Sequence, residues 1–187
     1  NMKKLLIAAV LAAGMVVAKG QGTIDFKNLV GALDAPLTFG GDLRPNPTVP
    51  DDVLGNAFVA QLWDGSGDNN IGGAVFFDER PAFAGIWAGE TRTLDAIAPG
   101  GTANVRVRAW ATDLAANWED AVALNIGGTY DSGAFDVEGL GGGGPPPAPP
   151  AIMQNFTGGE ISAIVPEPSI AALGLLGAGL LLLRRKK

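Results

Sequence analysis

Oxygen donors gather in the run Asp64-Gly65-Ser66-Gly67-Asp68-Asn69-Asn70. Asp64, Ser66 and Asp68 stand at alternate positions, as the first ligands of a calcium loop do, but Val75 occupies the place where such a loop carries its bidentate Glu. The same residue types are those a polar hairpin turn selects. A turn is therefore the first expectation here, and a calcium site on Asp64, Ser66 and Asp68 the second.

Four indoles, Trp63, Trp87, Trp110 and Trp118, form the other candidate ligand surface. An exposed pair would stack on sugar rings while nearby Asp or Asn side chains bound the hydroxyls, which is the chemistry of a polysaccharide-binding module. Trp63 lies in the most apolar stretch of the body and reads as core, and Trp118 reads as the cover of a short helix. Trp110 alone shares a strand face with charged neighbours, Arg106 and Arg108, and so reads as exposed. Trp110, Arg106 and Arg108 are the candidate ligand residues, although an arginine stacked on an indole explains the same pattern without a ligand.

The adjacent acids Asp78-Glu79 and Glu119-Asp120 do not read as catalytic. A glycosidase needs two carboxyl groups about 5–10 Å apart across a cleft, one of them with a raised pKa, whereas neighbours on a strand point to opposite faces. The chain has neither Cys nor His, which removes disulfides, Cys/His metal centres, Cys–His pairs and Ser–His–Asp triads. No enzyme is expected, and no cofactor.

Charge points the same way. Seven of the 13 basic residues lie in the two ends, so residues 21–165 hold six basic against 18 acidic side chains, a net of −12. Such a surface repels phosphate, and nucleic acid is not expected as a partner.

The elements that must position these residues read as strands. β-rich runs occur at Thr23–Phe26, Ala57–Trp63, Ala74–Phe77, Thr91–Leu94, Val105–Trp110, Gly133–Val137 and Ile161–Val165, divided by Gly, Pro, Asn and Asp clusters. This spacing predicts an all-β fold, an antiparallel β-sandwich of immunoglobulin-like or jelly-roll-like type. In Val105–Trp110 the alternation buries Val105, Val107 and Ala109 and turns Arg106, Arg108 and Trp110 the other way. In Ala57–Trp63, Phe58, Ala60 and Leu62 face away from Val59 and Trp63, and this central strand is a candidate partner of the arginine strand. Phe58, Val59, Leu62, Trp63, Val105 and Val107 are the expected core. One short helix is expected from an Asn117 N-cap to about Leu124, ended by Gly127-Gly128. The Gly/Pro-rich stretch 139–150 reads as a segment with no part in the core, first as a loop before a final strand pair, Met153–Phe156 with Ile161–Val165, and second as the start of a linker that lifts the domain off the membrane.

Both ends carry hydrophobic helices by pattern. Met2, Lys3 and Lys4 precede the uncharged apolar run Leu5–Ala18, and Ala18-Lys19-Gly20 offers a small-x-small cleavage pattern, so residues 1–20 read as a signal peptide. At the other end Val165-Pro166-Glu167-Pro168-Ser169 leads into a second apolar run of 14 residues, Ile170–Leu183, and then into Arg184-Arg185-Lys186-Lys187. The prolines keep the motif extended, the run inserts as a transmembrane helix, and the basic cluster stays cytoplasmic under the positive-inside rule. The organisation expected is residues 1–20 as export signal, 21–165 as ectodomain and 166–187 as sorting tail.

This three-part tail resembles the PEP-CTERM sorting signal of Gram-negative bacteria. The resemblance implies export through the secretion translocon, transient anchoring in the inner membrane, and processing near Pro166-Glu167-Pro168 by an exosortase-type protease in cells that make extracellular polysaccharide. It implies a final place at the cell surface or outside the cell. With Gln21–Phe26 at the mature start, the block Ala98–Trp110 and the late Gly-rich loop, the body resembles exported PEP-CTERM proteins of verrucomicrobial type, a likeness that implies no activity. A cell-surface or matrix protein is the leading expectation, and an exopolysaccharide-binding module with the same tail is the alternative.

Overall fold

Alternation of apolar and polar residues dictates two of the longer strands. Gly22–Lys27 (β1) buries Gly22, Ile24 and Phe26, and Ala103–Ala111 (β8) buries Ala103, Val105, Val107 and Ala109. The computed structural model describes residues 21–39, 58–78, 80, 83, 85–125 and 127–162; the two apolar runs, the Pro-Glu-Pro motif and the basic tail lie outside them. Among the described residues no helix is long and apolar enough to cross a membrane.

Among the described residues the fold is mostly β, with one short helix and several sheets. The remaining strands are β2 (Leu29–Val30), β3 (Leu33–Asp34), β4 (Leu37–Phe39), β5 (Phe58–Asp64), β6 (Val75–Phe76), β7 (Ala88–Leu94), β9 (Thr129–Asp131), β10 (Phe135–Val137), β11 (Ala151–Ile152) and β12 (Gly159–Ile161). One sheet runs β11-β1-β7, and a larger one runs β10-β8-β5-β6 with β9 also on β8. β2 pairs with β3 and β4 with β12.

The pairing of β5 with β8 is antiparallel over its whole length, from Phe58 opposite Ala111 to Asp64 opposite Val105. That is the partnership the sequence suggested. The sheets are not purely antiparallel, however, because β11 runs parallel to β1 and β12 parallel to β4. The expected final strand pair does not form: 153–156 is not a strand, and β11 and β12 attach to different sheets. The expected strand end Ala163–Val165 lies outside the described residues. On the far edge of β8, β9 and β10 form one interrupted line. Two residues of β8, Arg106 and Val107, face three, Ser132, Gly133 and Ala134, which is a bulge. Gly133 supplies its positive φ of 68°.

Side chains of both larger sheets meet in one core. Ile24 and Phe26 from β1 join Phe58, Ala60 and Leu62 from β5 and Val105 and Val107 from β8, all of them buried. Full burial of each larger aliphatic or aromatic member is worth about 1.5–3 kcal/mol. Trp87 is the aromatic centre, its ring 5.5 Å from Phe26, 5.6 Å from Phe77 and 5.7 Å from Phe156. Asn28 is the one fully buried polar side chain among the described residues. Its amide donates to the carbonyls of Ala35 (3.0 Å) and Gly85 (2.8 Å) and its oxygen accepts from the Trp87 backbone N–H (2.8 Å), so it joins the β2–β3 hairpin to the segment entering β7.

Two further expectations are corrected. The Gly/Pro-rich stretch does reach the core: Leu140 is buried among the core side chains. Gly141 exchanges backbone hydrogen bonds with Thr23 in both directions (3.0 and 3.1 Å). The helix α1 (Trp118–Leu124) starts as expected, with the Asp120 N–H donating to Asn117 Oδ1 at 2.9 Å. It ends at Leu124, as expected, but the stop is Asn125, left-handed at φ 53° with its N–H on the Val122 carbonyl, rather than the glycine pair.

Candidate functional site

The outward faces of β5 and β8 bring the chemistry together. Residues two apart share a face, and the antiparallel register sets Val59 opposite Trp110, Gln61 opposite Arg108 and Trp63 opposite Arg106. α1 lies against this face and contacts β8. Val59, Trp110, Ala115 and Ala121 form a second small apolar cluster there, with Trp118 packed on it.

This cover explains the main departure from expectation. Trp110, read as exposed, is only 3% exposed, with the Trp118 ring edge-on to it at 6.5 Å. Trp63 and Val59 are buried as expected but on this face rather than in the main core. Phe58, Leu62, Val105 and Val107 sit where the sequence put them. An arginine does stack on indoles, but not on Trp110: the Arg108 guanidinium lies 4.7 Å from the Trp63 ring and 4.9 Å from the Trp118 ring.

Arg106 and Arg108 hold the neighbouring loops. Both reach Asp131 Oδ2, at 3.1 and 3.0 Å, while Asp131 Oδ1 accepts from the Gly133 N–H of the bulge. Arg106 also donates to the Gly65 carbonyl (2.8 Å) and Arg108 to the Gly67 carbonyl (2.9 Å), which anchors the Asp64–Asn70 loop to the sheet. Burial pushes the Asp131 carboxyl up, but the Arg108 hydrogen bond, the Gly133 N–H and the charges of the two arginines outweigh it and hold the group below its usual range.

The loop's own carboxylate is spent internally. Asp64 Oδ1 accepts from the Ser66 hydroxyl (2.7 Å) and from the N–H groups of Gly67 (2.8 Å) and Asp68 (3.1 Å), and Oδ2 accepts from the Asn69 amide (2.7 Å). The Asn69 and Ser66 bonds hold the Asp64 carboxyl well below the ordinary range. This is the arrangement of a side-chain-capped turn. Among the described residues no three His, Cys, Asp or Glu side chains converge as metal ligands would.

Beside the loop a groove of about 360 Å³ opens between α1 and the sheet. Its walls are Trp63, Trp110 and Trp118, and its polar lining comes from Gln61, Asp68, Asn70, Asn117 and Glu119. Arg106 and Arg108, the sequence candidates, are not part of that lining. The indole N–H donors of Trp63 and Trp110 are buried with no protein acceptor, and so is that of Trp87 in the core. Gln61 was legible as a face-mate of Trp63. Asp131 carried no signal, because its strand is three residues long and its pairing is set by a bulge.

The sorting residues Pro166, Glu167 and Pro168 and the basic residues Arg184, Arg185, Lys186 and Lys187 lie outside the described residues. Comparison of the chain with protein-family models, with curated proteins and with solved structures finds no match in any of the three.

Proposed function

We propose that this is an exported cell-surface or extracellular-matrix protein with no catalytic activity of its own, delivered by its ends and built around a β-sandwich body. In this reading residues 1–20 direct the chain to the translocon. An exosortase-type protease then acts at Pro166-Glu167-Pro168, while Ile170–Leu183 serves as a temporary membrane anchor held by Arg184–Lys187. The observation that carries it is the order of the tail: an extended motif with one carboxylate between two prolines, then 14 apolar residues, then four basic ones. Those 14 residues span about 21 Å as a helix against a hydrocarbon core of about 30 Å, a mismatch that suits a transient anchor better than a permanent one.

The body supports the reading in two ways. Side chains of two sheets share one core, which supports a sandwich of immunoglobulin-like or jelly-roll-like type. The acidic balance of residues 21–165 suits an extracellular surface and not a nucleic-acid partner. The experiment is Glu167→Ala in a host with the sorting enzyme. A protease reads extended backbone and a specific carboxylate, whereas the membrane reads only hydrophobicity, so the variant inserts but accumulates uncut in the inner membrane. Normal maturation of Glu167→Ala would reduce the tail to an ordinary anchor.

A further inference from the structure

We propose that the groove between α1 and the outward face of β5 and β8 binds a sugar unit of a neutral polysaccharide. The lining combines what such a ligand needs: indole surface for the apolar C–H face of a pyranose ring, and amide and carboxylate groups for its equatorial hydroxyls. Trp118 is the stacking wall, since it is only partly buried, whereas Trp63 and Trp110 are almost wholly covered and form the floor. Gln61, already donating to the Gly72 carbonyl, and Asn117, already bonded to Asp120, each keep a second N–H and a lone pair, Asn70 adds its amide, and Asp68 and Glu119 offer acceptors alone.

Charge selects the ligand further. Both charged residues of the lining are acids, the flanking arginines are turned to Asp131 and to loop carbonyls and stay outside the lining, and residues 21–165 carry a net charge of −12. A uronate or sulfated polymer would be repelled. The groove's volume falls near the lower end of ligand pockets, roughly 300–1,000 Å³, so it takes a short stretch of chain. Arg108 acts as a positioning residue: stacked between Trp63 and Trp118, and absent from the lining, it fixes the indoles without blocking the groove.

The proposal rests on the exported reading only for where glycan is met, and its test is independent of sorting. The full chain, kept in a detergent without a sugar headgroup, is titrated with neutral oligosaccharides of glucan, mannan, galactan, xylan and chitin type and with oligogalacturonate, following tryptophan fluorescence. Saturable binding of at least one neutral class, absent for the uronate, is expected. Trp118→Ala should weaken it at least tenfold. The exposed pair Asp68→Ala with Glu119→Ala should weaken it several-fold with unchanged circular dichroism and melting, which separates loss of contacts from loss of fold. Phe76→Ala, at an exposed position outside the groove, should leave it unchanged. Failure of every neutral class, preference for the uronate, or binding indifferent to the groove variants would overturn the proposal. A chain that matures normally at Glu167 yet binds no glycan would fail here and leave the sorting reading intact.

Discussion

Truncating Leu140 to Ala separates a fixed wall of the fold from a flexible linker. The residue sits inside a Gly/Pro-rich stretch, yet only 1% of it is exposed. Its backbone is pinned on both sides, with the N–H donating to the Gly101 carbonyl at 3.1 Å and the carbonyl accepting from the Gly100 N–H at 2.7 Å. Its side chain lies against Gly22 so closely that a Cβ there would come within 2.6 Å of Leu140 Cδ1. A site held this way cannot collapse around a smaller residue, so the cost belongs in the middle of the range for buried Leu→Ala, about 3–4 kcal/mol. With a urea m-value of about 1.5 kcal/mol/M, the midpoint should fall by about 2 M at unchanged m. Unfolding is followed by fluorescence of the buried indoles. Gly144→Ala, where a Cβ would meet nothing within 4 Å, serves as the control and should stay within about 0.5 kcal/mol. A Leu140→Ala loss below about 1 kcal/mol would show that the stretch contributes nothing to the core and refute the reasoning.

Three further outcomes follow from particular contacts. Arg108→Lys keeps the charge but loses the planar group between two indoles and its forked donors, and should cost about 1–2 kcal/mol in urea unfolding; a neutral result would show that the stack adds nothing. Asn28→Ala strands the Ala35 carbonyl and the Trp87 backbone N–H in the core, while the Gly85 carbonyl keeps the Leu37 N–H, and should lower stability by about 2–4 kcal/mol, more than any exposed Asn→Ala change. Tyr130, the single tyrosine of the chain, has its hydroxyl pushed up to about 12 by burial and by the Asp131 charge. An absorbance titration should therefore show ionisation near that pH while the fold persists. Because the unfolded side chain ionises near 10, the stability tied to this hydroxyl is fully present below about pH 10 and is lost as pH rises toward 12. A midpoint near 10 in the folded protein would contradict the burial.

The parts of the fold legible in the sequence were those set by local periodicity. Alternation in β8 named its inward face, and the two-sided apolar character of β5 marked it as a central strand and a candidate partner of β8, the pairing that the structure contains. Short strands such as β2, β3, β9 and β11 carry two or three residues each, too few for a period to show. The parallel pairs β1–β11 and β4–β12 join residues more than a hundred positions apart, where composition holds no information on register. Trp110 shows the same limit within the site. Alternation told which way its side chain points, but not that α1 covers that face. The loop Asp64–Asn70 was legible as a turn because its residue types act on their own backbone, whereas the groove beside it depends on three elements meeting.

Intact-mass measurement on the protein isolated from its native envelope and medium tests the central claim most directly. The account predicts a chain that begins near Gln21 and ends near Pro166-Glu167-Pro168, lacking both apolar runs. A mature protein that keeps Lys3 and Lys4, or that retains Ile170–Leu183 together with the basic cluster in every fraction, would contradict it.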